Sequence, residues 1–345
     1  MTGYEAVTQL LADPQMVANK SASTTGFRGQ NLPDALEANL LNIDGADHRR
    51  VRQLAAQAFA PRHHLAHEEV VAAAVAELIE SLPPTGEIDL MGGLCEPLPP
   101  RVIGELLGLP REQLAAFRQA ARPMFDTDQS KCGEALRDSL TQMLLLVAGV
   151  IAEKRRTPGD DLLSQWLQAR DGDDRLSEQE LISLVFATVI GGFENVTSLT
   201  ALVIDEVVRE HEEHARDVLD DDAAFTALIR TTIGNVAPVN YALRRFPLTD
   251  IEVNGVTIPR GHTVFMSLRS AHLDPVSVGR PDLVFGWGRH HCIGAALAQM
   301  QVVHATRAVL RRWPHLRTNH PRREYQLRPS WLTYALAELT ITAGQ

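Results

Sequence analysis

The sequence predicts a mainly α-helical protein that carries a small β subdomain near its C-terminus. Three observations predict it. From Ser177 onward, Ile182, Val185, Phe186, Val189, Phe193, Val196, Thr200 and Ile204 recur at helical spacing over several turns. After Ala237-Pro238 the texture changes to two short strand-like runs around Asn254-Gly255, the strongest short hairpin signal. A second long helical pattern then runs from about Ala295 to Arg312. With 345 residues and 45% hydrophobic composition, the chain can bury a substantial core as one large domain or two smaller ones.

Taken in order, residues from about Tyr4 to Leu219 read mostly as helix. Asp47 is the expected cap of a helix running through His48 to Ala60, which Pro61 closes. The longest apolar run, Met143 to Ala152, is too short to span a bilayer and reads as a buried helix segment. Leu162 to Ala169 carries a short helical pattern. Gly191 and Gly192 interrupt the long helix in its middle, at a cost on the order of 1 kcal/mol per residue against Ala. Such a pair marks a close approach by another body or a local distortion. Asp250 to Pro259 forms the hairpin, Thr263 to Leu268 reads as a further strand, and Leu339 to Thr342 as a terminal strand. No repeat, low-complexity tract or long linker divides the chain. A single domain over 1–345 is therefore expected, helix-rich over 1–235, with the hairpins, a cysteine loop and the last long helix in 236–345.

Charge narrows the function. Lys+Arg 33 against Asp+Glu 43 leaves a formal net charge of -10, which argues against nucleic acid as the main partner. It leaves room for a local basic patch that docks an acidic partner. The start, MTGYEAVTQLLADP, has neither a basic n-region nor an apolar h-region, so a soluble cytoplasmic protein without membrane contact is expected. The three cysteines share no CxxC spacing and imply no disulfide framework. Cys95 and Cys132 are expected to be small buried hydrophobes. Cys292 differs because of its neighbours.

Phe285-Gly-Trp-Gly-Arg-His-His-Cys-Ile-Gly294 stands immediately before the last long helix. Two glycines ahead of the cysteine let the backbone turn tightly, and Gly294 after it allows close approach. A helix N-terminus beside a sulfur lowers the thiol pKa and stabilises the thiolate, the form that ligates metals. An inert cysteine in a glycine-rich turn explains a bare CxG equally well. Zinc held by His290, His291 and Cys292 fits poorly, since adjacent ligands rarely build a tetrahedral site and no fourth ligand is evident.

The whole phrase matches the FxxGxHxCxG haem-binding signature at each fixed position: Phe285, Gly288, His290, Cys292 and Gly294. The chain thereby resembles the cytochrome P-450 family. TPGDDLLSQW, DGDDRLSEQEL, IEVNGVTIPRG and the AHLDP segment also look like its bacterial members. The resemblance implies the cytochrome P-450 fold, haem b as cofactor and Cys292 as its axial thiolate ligand. It also implies a small organic substrate and a ferredoxin-type electron donor.

Supporting residues follow from the same resemblance. His48 and Arg52, at i and i+4, share one helix face, although a solvated basic face is the plainer reading beside Arg49 and Arg50. In the family a matching His-x-x-x-Arg binds a haem propionate. Arg245 occupies the place of another propionate-binding arginine, and His290 resembles a third partner. Gly191-Gly-Phe-Glu-Asn195 aligns with the family's (Ala/Gly)-Gly-x-(Asp/Glu)-Thr, where an acid-alcohol pair relays protons. Glu194 supplies the acid, Asn195 replaces the alcohol, and Thr197 is expected to face elsewhere. The segments around Asn31 to Leu41 and Val236 to Leu243 are expected to line the substrate pocket.

Three departures mark a trimmed and divergent member. The Glu-x-x-Arg pair falls at Ala227 to Arg230 with its acid missing, and the segment between Pro275 and Phe285 is short. The chain also starts at what resembles the second helix, without the preceding small sheet. Arg230 is expected to be buried and held by carbonyl groups. The leading expectation is a monooxygenase acting on a small organic molecule, with secondary metabolites among the candidates. Asn195 keeps open peroxide-driven oxidation, isomerisation or dehydration, and Ala227 keeps open an inactive scaffold.

Overall fold

A computed structural model describes residues 1–26, 32–121, 123, 133–169, 175–318, 324–330 and 332–344. The chain divides into two compact units. The first is built from Met1–Ala60, Ser130–Thr188 and Val239–Ile293, and the second from Pro61–Gln129, Val189–Pro238 and Gly294–Gln345.

In the first unit, α1 (Tyr4–Ala12) buries Tyr4, Val7, Leu10 and Leu11, the stripe its helical period places on one side. That stripe packs on Ile251, Val253, Ile258, Val264, Met266 and Leu283. Strand β1 (Met16–Val17) then pairs antiparallel with β3 (Phe246–Pro247). The hairpin of β4 (Ile251–Val253) and β5 (Val256–Ile258) forms as expected. Asn254 at φ 52 and Gly255 at φ 75 give it two left-handed turn residues, the requirement of a tight two-residue turn. The expected strand over Thr263 to Leu268 is reduced to two isolated bridges, Arg245 to Val264 and Tyr241 to Ser267. Ser267 instead caps a short helix, α11 (Leu268–His272), through a bond from the Ser270 amide.

Helix α2 (Gly45–Gln57) is capped at Asp44 rather than Asp47, which lies inside its first turn. Asp44 makes no capping bond with its side chain, because that carboxylate is engaged elsewhere. The apolar run Met143 to Ala152 falls within α6 (Gly133–Arg156), where Met143, Val147, Val150 and Ile151 are buried and Leu145 is exposed. This is the stripe of an amphipathic helix. α6 packs on α7 (Leu162–Ala169). Both α6 and α8 (Glu178–Glu210) are long and apolar enough to cross a bilayer by length and composition. The buried stripe of α6 and the largely buried surface of α8 are those of core helices.

The second unit holds α3 (His64–Glu80), α4 (Leu98–Leu107), α5 (Arg111–Ala121), most of α8, α9 (Glu212–Asp217), α10 (Asp222–Val236) and α12 (Ala295–Arg312). α3 packs on both α4 and α12. An antiparallel sheet ordered β2 (Gly86–Asp89), β7 (Thr340–Ala343), β6 (Leu316–Thr318) aligns the fully buried Ile88 and Ile341. α8 runs unbroken through Gly191 and Gly192, against the expected interruption. The close approach is real at Gly192, where an added Cβ would lie 3.0 Å from Ile103 of α4; at Gly191 nothing lies within 4 Å.

Candidate active site

The cysteine loop belongs to the first unit and turns on Gly286 at φ 76 and Gly288 at φ 73, where side-chain-bearing residues are strained. Gly288 is also sterically required, since a Cβ there would sit 2.7 Å from the Leu11 carbonyl oxygen at the end of α1. The amide of Cys292 donates to the Phe285 carbonyl at 2.8 Å and that of His291 to the Gly288 carbonyl at 3.1 Å, closing the loop on itself. The Cys292 side chain is thereby presented at the surface of this unit. Cys95 is fully buried, and burial pushes its thiol well up, the condition of an unreactive core cysteine. Cys132 lies outside the described residues.

Beside the loop sits a cluster of cationic and imidazole groups. His48 is 2% exposed and packs its ring on that of His290, with centroids 4.2 Å apart. Its Nε2 is buried with no hydrogen-bond partner among the described residues. Burial, reinforced by the charges of His290 and Arg52, pushes its imidazole down to about 4. His290 bonds through Nδ1 to the Leu40 carbonyl at 3.1 Å and through Nε2 to Asp44 Oδ1 at 3.2 Å. Asp44 also accepts from the amides of Ala18 and Asn19. Burial raises its carboxyl, but the bond from His290 and the two amides outweigh burial and hold it below the usual range.

The arginines lack such a partner. Arg245 is 3% exposed, and its Nη1 donates only to the carbonyls of Leu243 and Arg244. Burial pushes it down to about 10, despite the favourable charge of Asp44. Arg52 donates to the His291 carbonyl at 2.8 Å, and Arg289 to the Ala12 carbonyl at 3.3 Å. Among the described residues no carboxylate pairs with any of the three. The buried Arg245 and the half-buried Arg52 and Arg289, held by neutral carbonyls beside an imidazole nitrogen with no partner among the described residues, are the complement of a bound carboxylate. The carboxylate-bearing edge of haem fits this cluster, and Cys292 in the adjacent loop is a ligand type that holds its iron.

Gly191, Glu194 and Asn195 lie in the second unit, on α8. Burial raises the Glu194 carboxyl above its usual range, opposed by the Arg328 cation and aided by Glu96. Arg328 is ion-paired with Glu96, which Arg118 also approaches at 3.4 Å. Asn195 donates from Nδ2 to the Gly191 carbonyl at 3.4 Å, and its Oδ1 is buried without a partner. Thr197 is buried and spends its hydroxyl on the Phe193 carbonyl. Gly294 stands at the N-cap of α12.

Arg230 corrects an expectation. It is exposed on α10, with Ala227 exposed on the same face, and it makes no hydrogen bond or ion pair with the described residues. The helix turns Phe225, Ile229 and Ile233 inward, which leaves positions 227 and 230 outside. Asp44, Arg289 and Arg328 were not singled out in the sequence. The i, i+4 spacing of Asp44 and His48 is the one signal that pointed to the first of them.

No protein-family model matches the chain. Over its full length it is 30% identical to cytochrome P-450 107B1 of Saccharopolyspora erythraea, covering 89% of that protein. It is also 30% identical to the mycinamicin IV hydroxylase/epoxidase of Micromonospora griseorubida, across 95% of this chain and 84% of the relative. Among solved structures, a tirandamycin C-bound P-450 monooxygenase, TamI, matches with a TM-score of 0.88 and 30% identity, covering 100% of this chain and 89% of that one.

Proposed function

We propose, starting from the fact that this chain belongs to the cytochrome P-450 family of haem-thiolate monooxygenases, that it oxidises a small organic molecule of the secondary-metabolite type. The family carries the reaction class; the substrate is our reading. Two relatives support it, one named for mycinamicin IV and one solved with tirandamycin C bound. We further propose that the chain acts as a single catalytic domain in the cytoplasm and takes its electrons from a ferredoxin-type partner.

Haem, when bound, supplies the oxidative chemistry, and a thiolate ligand favours O–O cleavage by donating electron density. The chain's own residues do the rest. Cys292 offers the sulfur from a loop that backbone hydrogen bonds close on itself and that packs Gly288 against α1. His48, Arg52 and Arg245 would hold the propionates, the two arginines through charge-assisted bonds. Asp44 holds His290 between the Leu40 carbonyl and its own carboxylate, so the imidazole stays beside His48. Glu194, whose carboxyl burial raises above its usual range, keeps a proton more readily than an exposed carboxylate does and is the acid on this stretch of α8.

The observation that carries this reading is the cationic cluster adjoining the cysteine loop, with Arg245 and His48 buried in it. The test is spectroscopic. Protein loaded with hemin, reduced and exposed to CO, should give a thiolate-type absorption band, and Cys292→Ala should abolish it. An imidazole-like spectrum from the wild-type protein overturns the reading.

Asn195 favours a second reading, in which haem remains but the chemistry is peroxide-driven oxidation, isomerisation or dehydration. A carboxamide holds water or oxygen but does not relay a proton as a hydroxyl does. Asn195→Thr then separates the two, because only a reductase-driven monooxygenase gains coupling of electrons to product.

A further inference from the structure

Arg244 and Arg245 are adjacent on an extended segment, and Arg245 exchanges backbone bonds with Val264 at 3.0 and 2.9 Å. Neighbouring side chains on extended backbone point to opposite sides. Arg245 feels the charges of Asp44, of Arg244 itself and of Arg289, whereas the contacts of Arg244 are Asn42 and, through charge, Glu37. Arg244 therefore stands apart from the groups assigned above to the propionates. It faces the segment around residues 37–42, part of the stretch expected to line the substrate pocket.

Its bonding is incomplete. Nη2 donates to the Asn42 side-chain oxygen at 3.0 Å, while Nε is buried and has no partner among the described residues. Glu37, the carboxylate that acts on it through charge, is already ion-paired to Lys20. Burial lowers the guanidinium's affinity for its proton, and the charge of Glu37, shared with Lys20, offsets only part of that loss of water. The open Nε–H lies on the same edge as Nη2, the edge with which arginine grips a carboxylate through two parallel bonds.

We propose that Arg244 is a specificity-determining residue that selects an organic substrate bearing a carboxylate. This rests on the substrate-oxidising function proposed above and narrows its substrate class. A neutral carbonyl would satisfy one donor but leave the desolvated charge unanswered. An anion answers both. Asn42 positions the guanidinium without competing for it, because an amide oxygen carries no charge.

The test uses haem-loaded protein and matched pairs of probes: octanoate, dodecanoate and phenylacetate, each against its primary amide, with Kd read by calorimetry. At least one acid should bind on the order of tenfold or more tightly than its amide, the scale of one charge-assisted bond. Arg244→Gln should erase that preference without accelerating haem loss. Arg244→Lys should restore part of it, keeping the charge and losing the fork, which also guards against a merely misfolded Gln variant. The proposal is overturned if no acid is preferred, or if the preference survives in Arg244→Gln. It is also overturned if Arg244→Gln sheds haem as Arg245→Ala does, since Arg244 would then be a propionate ligand. A missing thiolate spectrum removes the parent function as well, whereas a normal spectrum without acid preference removes this inference alone.

Discussion

At the scale of single residues, three arginines on or beside one helix have different fates. Arg50 is ion-paired with Glu180 and donates to the Arg175 carbonyl at 2.7 Å, so it ties α2 to the start of α8. Among the described residues, Arg52 and Arg245 have only carbonyl partners. Arg52→Ala and Arg245→Ala should each weaken haem retention by about 1.5–3 kcal/mol, seen as a faster transfer of haem to an acceptor protein. Arg50→Ala should leave that rate unchanged and cost at most about 1 kcal/mol of stability. Equal haem off-rates in all three would show that the cluster is not a propionate site. His48 adds a pH dependence. Its folded value of about 4 lies below the ordinary 6.5, so between these values the unfolded chain binds a proton that the folded chain refuses. Haem-free protein should therefore lose stability as pH falls from about 6.5 toward 4, and His48→Gln should flatten that slope in thermal melts. His48, Arg52, Arg245 and His290 were legible in sequence because a motif names them. Asp44 was not, because its role depends on three bonds brought together from distant points of the chain.

At the scale of elements, helix positions decide what a substitution can do. α8 already carries three threonines whose hydroxyls bond back to the preceding turn: Thr188, Thr197 and Thr200. A threonine at 195 can do the same toward Gly191, and it removes a buried carbonyl oxygen that has no partner. Asn195→Thr should thus melt no lower than wild type; a drop of several degrees would mean that the orphan oxygen has a partner in the loaded protein. On α10 the opposite holds. Ala227 and Arg230 both face solvent, so Ala227→Glu builds an exposed i, i+3 pair worth about 0.2–0.5 kcal/mol. Its melting temperature should rise by no more than a degree or so, with haem retention unaltered, and a large gain in either would place this face against bound haem or a partner. The bounds of Leu162–Ala169 and Ala295–Arg312 were readable to the residue, since helical period and flanking signals agree there. The strand after the hairpin was misread because β-branched residues at 263 and 264 fit a pleat, while the partner backbone offers only single bridges.

At the scale of the whole molecule, the acidic net charge of -10 conceals a basic interior corner. Cys292, His48, Arg52, Arg245 and His290 come from three stretches of chain that are remote in sequence yet fall in one compact unit. Haem binding should therefore slow amide exchange together in residues 40–52, 239–247 and 285–293. Protection confined to the cysteine loop alone would contradict a shared site. The fold class was legible in periodicity and in the hairpin signal. The division into two interleaved units was not, because it depends on contacts between segments that no local pattern encodes.

The contact between Gly288 and the Leu11 carbonyl makes α1 a backstop for the cysteine loop. Tyr4 strengthens it, donating from its hydroxyl to the Pro281 carbonyl at 2.8 Å and from its amide to Asp274 at 3.0 Å. The first dozen residues thus act as a strut behind the metal-binding turn, remote from it in sequence. Trimming them for convenience of expression would leave the motif intact on paper and its foundation gone.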